Sequence, residues 1–156
     1  MVLGKKEAAN LIENIGGIMA SVTKNFEISY GHRLPLHLGK CKRYHGHNGN
    51  IEVTITARVD KVTGMVIDFG DLSAIVKHYL ELWDHRMILQ TDDPLIGPLT
   101  HTDSVVIVPF PPTAENLAIE LQHIIVPEIK EMCQLEATEI TWWETEDSRA
   151  TISAKY

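Results

Sequence analysis

The stretch Cys41-Lys42-Arg43-Tyr44-His45-Gly46-His47-Asn48 brings a thiol, two cations and two imidazoles together, and His32 stands alone upstream. Two histidines two residues apart on an extended segment point the same way. A third imidazole arriving from a neighbouring strand would give three nitrogen ligands with one coordination position open, the arrangement of catalytic zinc. The plain alternative is coincidence, because the chain has 8 histidines and short motifs recur by chance. Cys41 lies close to any metal held there. Lys40, Lys42 and Arg43 surround it, and nearby positive charge favours a thiolate. The alternative is an incidental thiol, but Gly39 and the run of charges place this one in a polar loop. Cys133, near the end of a helix, reads as packing.

Two further positions carry chemistry. Asp84-His85 puts a carboxylate beside an imidazole, which can fix a tautomer and strengthen a base; adjacent residues often diverge, so a solvated helix end is an equal reading. Glu144, in Trp142-Trp143-Glu144-Thr145, shares the parity of Ile140 and Trp142. A carboxylate on an apolar face needs a partner. That partner is an internal cation or a ligand presenting two N–H donors, unless the residue is simply an exposed strand end. Asp68, Asp71 and Thr113 read as turn or cap residues, and His37, His78, His101 and His123 lack patterned neighbours.

The elements that must position these groups are legible from periodicity. Phe26, Ile28 and Tyr30 alternate with polar residues, and His32 continues their parity. Ile51, Val53, Ile55, Ala57 and Val59 alternate in the same way, giving two half-buried strands. Lys61-Val62-Thr63-Gly64 is a turn before the apolar run 65–67. Asp71 is the expected cap of a first helix whose stripe is Leu72, Ile75, Val76, Tyr79, Leu80 and Trp83. Prolines from Pro94 to Pro112 mark loop around the short apolar run 105–108. A second helix starts near Thr113 with Leu117, Leu121, Ile124 and Ile125 inward, and Pro127 limits or bends it. Residues 138–145 and 150–155 form two last strands around Asp147-Ser148. The order β-β-α-α-β-β predicts an α+β domain, an antiparallel sheet with two helices on one face. Residues 1–20 form an amphipathic extension with Ala8, Leu11, Ile12, Ile15 and Met19 at helical spacing, and residues 21–156 form one domain.

Composition narrows the class. The chain is 44% hydrophobic and 22% charged, ordinary for a globular protein. A net charge of −7 argues against a nucleic-acid surface. Two cysteines make no disulfide framework, no apolar run suits a membrane span, and Glu7, Asn10 and Glu13 interrupt any signal-peptide core. A cytoplasmic protein is expected.

Taken in order, Cys-x-x-x-His-Gly-His-Asn, Ile-Asp-Phe-Gly-Asp-Leu, Asp-His, Pro-Thr-Ala-Glu-Asn and a late Glu-Thr resemble the 6-pyruvoyltetrahydropterin synthase superfamily. The three-residue spacer between Cys41 and His45 resembles its 6-carboxy-5,6,7,8-tetrahydropterin synthase branch, which serves queuosine biosynthesis. The resemblance implies a tunnelling fold (T-fold): a four-stranded antiparallel sheet with two helices on one side, joined edge to edge into barrels. It implies a homohexamer, a dimer of trimers, with active sites between subunits. It further implies zinc on His32, His45 and His47, Cys41 as general base with Asp84 and His85 as relay partners, Glu144 anchoring a pterin, and Thr113 lining the pocket. The implied reaction is that of a lyase acting on 7,8-dihydroneopterin triphosphate, releasing acetaldehyde and triphosphate. Elimination of triphosphate without side-chain cleavage is the alternative within the family. A pterin- or zinc-binding module without turnover and a generic zinc hydrolase are the alternatives outside it. Lys40, Lys42, Arg43 and Arg33 are candidate steering charges for the triphosphate. Two positions depart from the family pattern, Gly49 in place of a common aromatic residue and Tyr30-Gly31 in place of a small pair, and the first twenty residues are extra to it. None of these is expected to touch a ligand or base.

Overall fold

Alternating side chains organise the first half of the molecule into a long hairpin. β1 (Met19–His32) pairs antiparallel with β2 (His45–Arg58) along their whole lengths, from Met19 opposite Arg58 to His32 opposite His45. The computed structural model describes residues 4–15, 17–97 and 103–156. An N-terminal helix, α1 (Lys5–Ile15), precedes the hairpin; the side chains of Ala8, Leu11, Ile12 and Ile15, on which the expected stripe depends, lie outside the described residues, as does His101.

After a turn in which Asp60 Oδ1 accepts from the Val62 and Thr63 N–H groups, Gly64 adopts φ +70°, a conformation open to glycine at little steric cost. α2 (Phe69–Leu80) follows, then two short strands, β3 (Met87–Gln90) and β4 (Val105–Val108). α3 (Ala114–Met132) leads into β5 (Leu135–Thr145) and β6 (Ser148–Lys155). The sheet has the order β4-β3-β1-β2-β5-β6. Its antiparallel part, β1-β2-β5-β6, is the expected four-stranded sheet. β3 and β4 add a parallel pair at one side, joined to β1 at Gly31 and His32, where the sequence reading has only loop and one apolar run.

One face of this sheet is apolar. Ile51, Val53 and Ile55 of β2 and Ile140 and Trp142 of β5 are fully buried. They share one core with Leu72 and Val76 of α2 and with Leu117, Leu121 and Ile125 of α3. Each such side chain contributes roughly 1.5–3 kcal/mol by leaving water. The other face is polar: Ser21 and Thr23 hydrogen-bond across to Thr56 and Thr54. The cap of α2 is Asp68, which accepts from Gly70 N–H, rather than Asp71: Asp68 still has extended backbone, whereas Asp71 already lies in the first turn. Thr113 caps α3 through the Asn116 N–H, and Pro127 sits inside that helix without ending it.

Candidate metal centre and pterin pocket

The hairpin register builds the site. His32 faces His45 across the strands, and Tyr30 faces His47; the period of two then puts all three imidazoles on the core face, at its open end. Their ring centroids lie 4.5–5.2 Å apart. His32, 1% exposed, places Nδ1 2.6 Å from the carbonyl oxygen of Pro112. A carbonyl only accepts, so Nδ1 carries the hydrogen and Nε2 presents its lone pair to the cluster. His45 is fixed in the same way, Nδ1 donating to the Arg43 carbonyl at 2.8 Å. Such outer hydrogen bonds set the tautomer of metal-binding histidines. Nε2 of His47 lies 3.1 Å from Nε2 of His32, and one ligand nitrogen from each of the three falls within 4.8 Å of the others. Tetrahedral zinc bonded at ~2.0–2.1 Å needs ligand atoms about 3.3 Å apart, so the trio fits the ion with small adjustments. The cluster is made of these three histidines. Cys41 stands outside it, half-buried in a 3-10 turn (Lys40–Lys42).

Burial lowers the pKa of His32 to about 4; the bond to Pro112 opposes this, and His45 and His47 add to it. The ring is therefore neutral, the form that binds metal.

Glu144 closes one side. Its Oε1 lies 3.8 Å from His32 Nε2 and accepts from the Tyr30 hydroxyl at 3.4 Å. Tyr30 in turn accepts from Trp142 Nε1 at 3.0 Å. Burial, opposed by the Trp142 bond and reinforced by Glu144, raises the Tyr30 pKa. The parity argument for Glu144 holds: it is a half-buried carboxylate on the core face. Tyr30 does touch a proposed site residue, contrary to the sequence reading. Its inward parity between Ile28 and His32 was the available clue.

Asp84 and His85 form a real pair, Nδ1 to Oδ2 at 2.8 Å, at the end of the turn after α2. Asp84 Oδ1 accepts from Ser29 N–H, and the His85 N–H donates to Ser29 carbonyl, so both residues are clamped to β1. Burial would raise the Asp84 pKa, but the Ser29 N–H and His85 outweigh it and lower it. His85 has φ 56°, uncommon without glycine and frequent at working sites. Its ring borders a groove of about 680 Å³ lined by Ser29, Gly31, Gly46, Asn48 and Met87. Among the described residues no hydrogen bond or ion pair joins this dyad to Cys41 or to the three histidines.

Arg33 is not available to a phosphate. It is buried, donates to the Lys42 carbonyl and is paired with Asp93 at 2.6 Å, so its charge is spent inside. Lys40, Lys42 and Arg43 remain exposed. Thr113 commits its hydroxyl to the helix cap.

Comparison with known proteins agrees with this geometry. A Rickettsia bellii protein named 6-carboxy-5,6,7,8-tetrahydropterin synthase is 37% identical over 131 residues, covering 81% of this chain and 95% of its own length. A Halobacterium salinarum protein named as a probable synthase of the same kind is 42% identical over 107 residues, 65% of this chain and 68% of its own. The solved Plasmodium falciparum 6-pyruvoyl tetrahydropterin synthase superposes with a TM-score of 0.73 at 19% identity, covering 88% of this chain and 99% of that one; at that identity the likeness is one of fold, here the tunnelling fold. The family model described as 6-pyruvoyl tetrahydropterin synthase matches residues 21–155. With a histidine cluster and sheet order that suit it, this chain belongs to the 6-pyruvoyl tetrahydropterin synthase family.

Proposed function

We propose that the protein is a zinc-dependent carbon–carbon lyase. It converts 7,8-dihydroneopterin triphosphate, with water, to 6-carboxy-5,6,7,8-tetrahydropterin, acetaldehyde and triphosphate, a step towards queuosine in the cytoplasm. The observation that carries the reading is the convergence of three imidazole nitrogens beside the Glu144 carboxylate. The three-residue spacer after Cys41 and the names of the relatives above favour the carboxy-forming branch. His32, His45 and His47 would hold the zinc, which when bound supplies Lewis acidity to the substrate's side-chain oxygens.

The chain's own groups do the rest. Glu144 accepts two N–H donors from the guanidine-like edge of the pterin, a bidentate match for a carboxylate. Cys41 removes and returns protons on the side-chain carbons. Asp84 keeps the hydrogen of His85 on Nδ1, so Nε2 is the nitrogen that exchanges protons with the substrate. Thr113, whose hydroxyl oxygen accepts the Asn116 N–H, lines the pocket wall. Among the described residues no hydrogen bond or ion pair joins the dyad to the histidine cluster, and the site proposed is completed by Asp84 and His85 of a neighbouring copy. The unpaired edges of β6 and of residues 19–28 of β1 suit edge-to-edge assembly, since sheet edges recruit partners. A homohexamer of two trimers is the assembly proposed.

The test is product analysis with dihydroneopterin triphosphate, with and without a chelator. Acetaldehyde, triphosphate and the carboxypterin should appear together and be lost on chelation. Triphosphate release without acetaldehyde would refute the carboxy-forming reaction in favour of elimination alone.

A further inference from the structure

Glu144 ends an apolar run of β5, and a strand-end glutamate is free to rotate unless something holds it. Tyr30 is that holder. It is 4% exposed, and its ring is fixed edge-on to Trp142 and to His32, with centroids at 5.6 and 5.3 Å. An indole N–H only donates, so the Trp142 bond at 3.0 Å uses the acceptor side of the Tyr30 oxygen. The phenol hydrogen is then left for Glu144 Oε1, 3.4 Å away. Indole, phenol and carboxylate form a chain in which each bond polarises and orients the next. Among the described residues the hydrogen bond to Glu144 falls on Oε1, and the side chain is still 25% exposed, so it can meet a ligand.

Gly49 is the other half of the device. A Cβ at this position would come within 3.3 Å of Tyr30 Cε1 and 2.9 Å of the Trp143 carbonyl oxygen. A side chain there would crowd the tyrosine ring and the Trp143 carbonyl. The two departures from the family pattern thus form one unit, a glycine on β2 making room for an aromatic ring on β1.

We infer that Tyr30 is a positioning residue: its hydroxyl, held by Trp142 and given room by Gly49, sets the Glu144 carboxylate to receive the paired N–H edge of a heterocyclic ligand. This rests on the proposed role of Glu144 as pterin acceptor. Tyr30 meets no reacting atom, so its effect falls on ligand affinity and KM and leaves kcat nearly unchanged.

The test titrates 7,8-dihydroneopterin by fluorescence against the parent protein, Tyr30→Phe, Glu144→Gln and the double variant, with zinc content and melting temperature measured for each. Tyr30→Phe should keep its zinc, unfold cooperatively a few degrees lower because the buried Trp142 N–H loses its acceptor, and bind about tenfold more weakly, the loss expected for one hydrogen bond to a charged acceptor. In the Glu144→Gln background the same change should cost only about threefold, because the amide oxygen still accepts the bond but without the charge that about doubles its strength. Parent-like affinity of Tyr30→Phe would overturn the inference. So would an equal loss in both backgrounds, or loss of zinc or of the melting transition, since each makes the hydroxyl's role one of packing. A parent protein that binds no dihydroneopterin would instead refute the role of Glu144, and the inference with it.

Discussion

Acidifying chelator-treated protein should reveal the burial of His32 as a loss of stability. The ring is 1% exposed, and burial, against the Pro112 bond and with help from His45 and His47, lowers its pKa from 6.5 to about 4. A histidine whose folded pKa lies below its unfolded value favours the fold when neutral. Its contribution is therefore complete above pH 6.5 and is withdrawn as the pH falls through the window down to about 4. Each unit corresponds to about 1.4 kcal/mol, so acidification to the lower end costs about 3 kcal/mol, a large share of the ~5–15 kcal/mol that holds a domain folded. Urea unfolding of chelated protein between pH 7.5 and 4.5, beside His32→Gln, isolates the effect, because carboxylate contributions cancel in the difference. The parent should lose stability with falling pH more steeply than the variant, by about 2–3 kcal/mol in all. Zinc-loaded protein should resist longer, since protons must then displace the ion. Parallel curves for parent and variant would refute the reasoning.

Three other perturbations have expected outcomes. Cys41→Ala should keep a full complement of zinc, as the thiol stands outside the histidine cluster, while turnover falls by roughly 10²–10⁴; near-normal turnover would remove the thiol from the mechanism. Co-refolding inactive Cys41→Ala with inactive His85→Ala should restore about a quarter of parental activity if each site draws the two groups from different copies of a symmetric oligomer, and no recovery would place both groups in one chain. Arg33→Ala should destabilise the fold by about 3–5 kcal/mol in urea melts, because it strands Asp93, whose Oδ2 already lacks a partner among the described residues; a change under about 1 kcal/mol would show the pair to be replaceable by water.

How much of this could be read from residues alone depended on whether one face of an element differed from the other. β1 and β2 alternate between more and less buried positions, so a period of two identifies them and assigns His32, His45 and His47 to the inner face. In β5, Ile140, Thr141 and Trp142 are all buried, and its β-branched and aromatic composition rather than alternation identifies the strand. β3 and β4 escape that reading. Ile88 and Leu89 are both fully buried, so neighbouring residues of β3 do not alternate, and four-residue strands among prolines give periodicity too little length. The partner of His32 was legible as a type but not as a position: nothing in the irregular segment 33–44 sets the register that places His32 opposite His45. The Asp84–His85 pair turned on one dihedral angle. With ordinary extended backbone the two side chains diverge, and the φ of 56° at His85 swings the ring back onto its neighbour. Asp68 and Asp71 have the same capping chemistry, and only the extended backbone at Asp68 decides between them.

The histidine cluster follows from a substitution within an otherwise hydrophobic rule. Phe26, Ile28 and Tyr30 fill the inner face of β1, and Ile51 and Val53 that of β2; continued to the end of the hairpin, the same alternation would bury apolar side chains where His32, His45 and His47 stand. An imidazole in that place has two polar nitrogens to satisfy, and burying either without a partner costs of order 1–3 kcal/mol. Carbonyl oxygens of Pro112 and Arg43 satisfy the outer nitrogens of His32 and His45, and in doing so force the lone pairs inward. The lone pairs of His32 and His45, with a nitrogen of His47 within 4.8 Å, repel one another and are relieved by a cation between them or by a hydrogen on His47 Nε2, 3.1 Å from His32 Nε2. Burial depresses the proton affinity of His32, which leaves a metal ion as the better occupant near neutral pH.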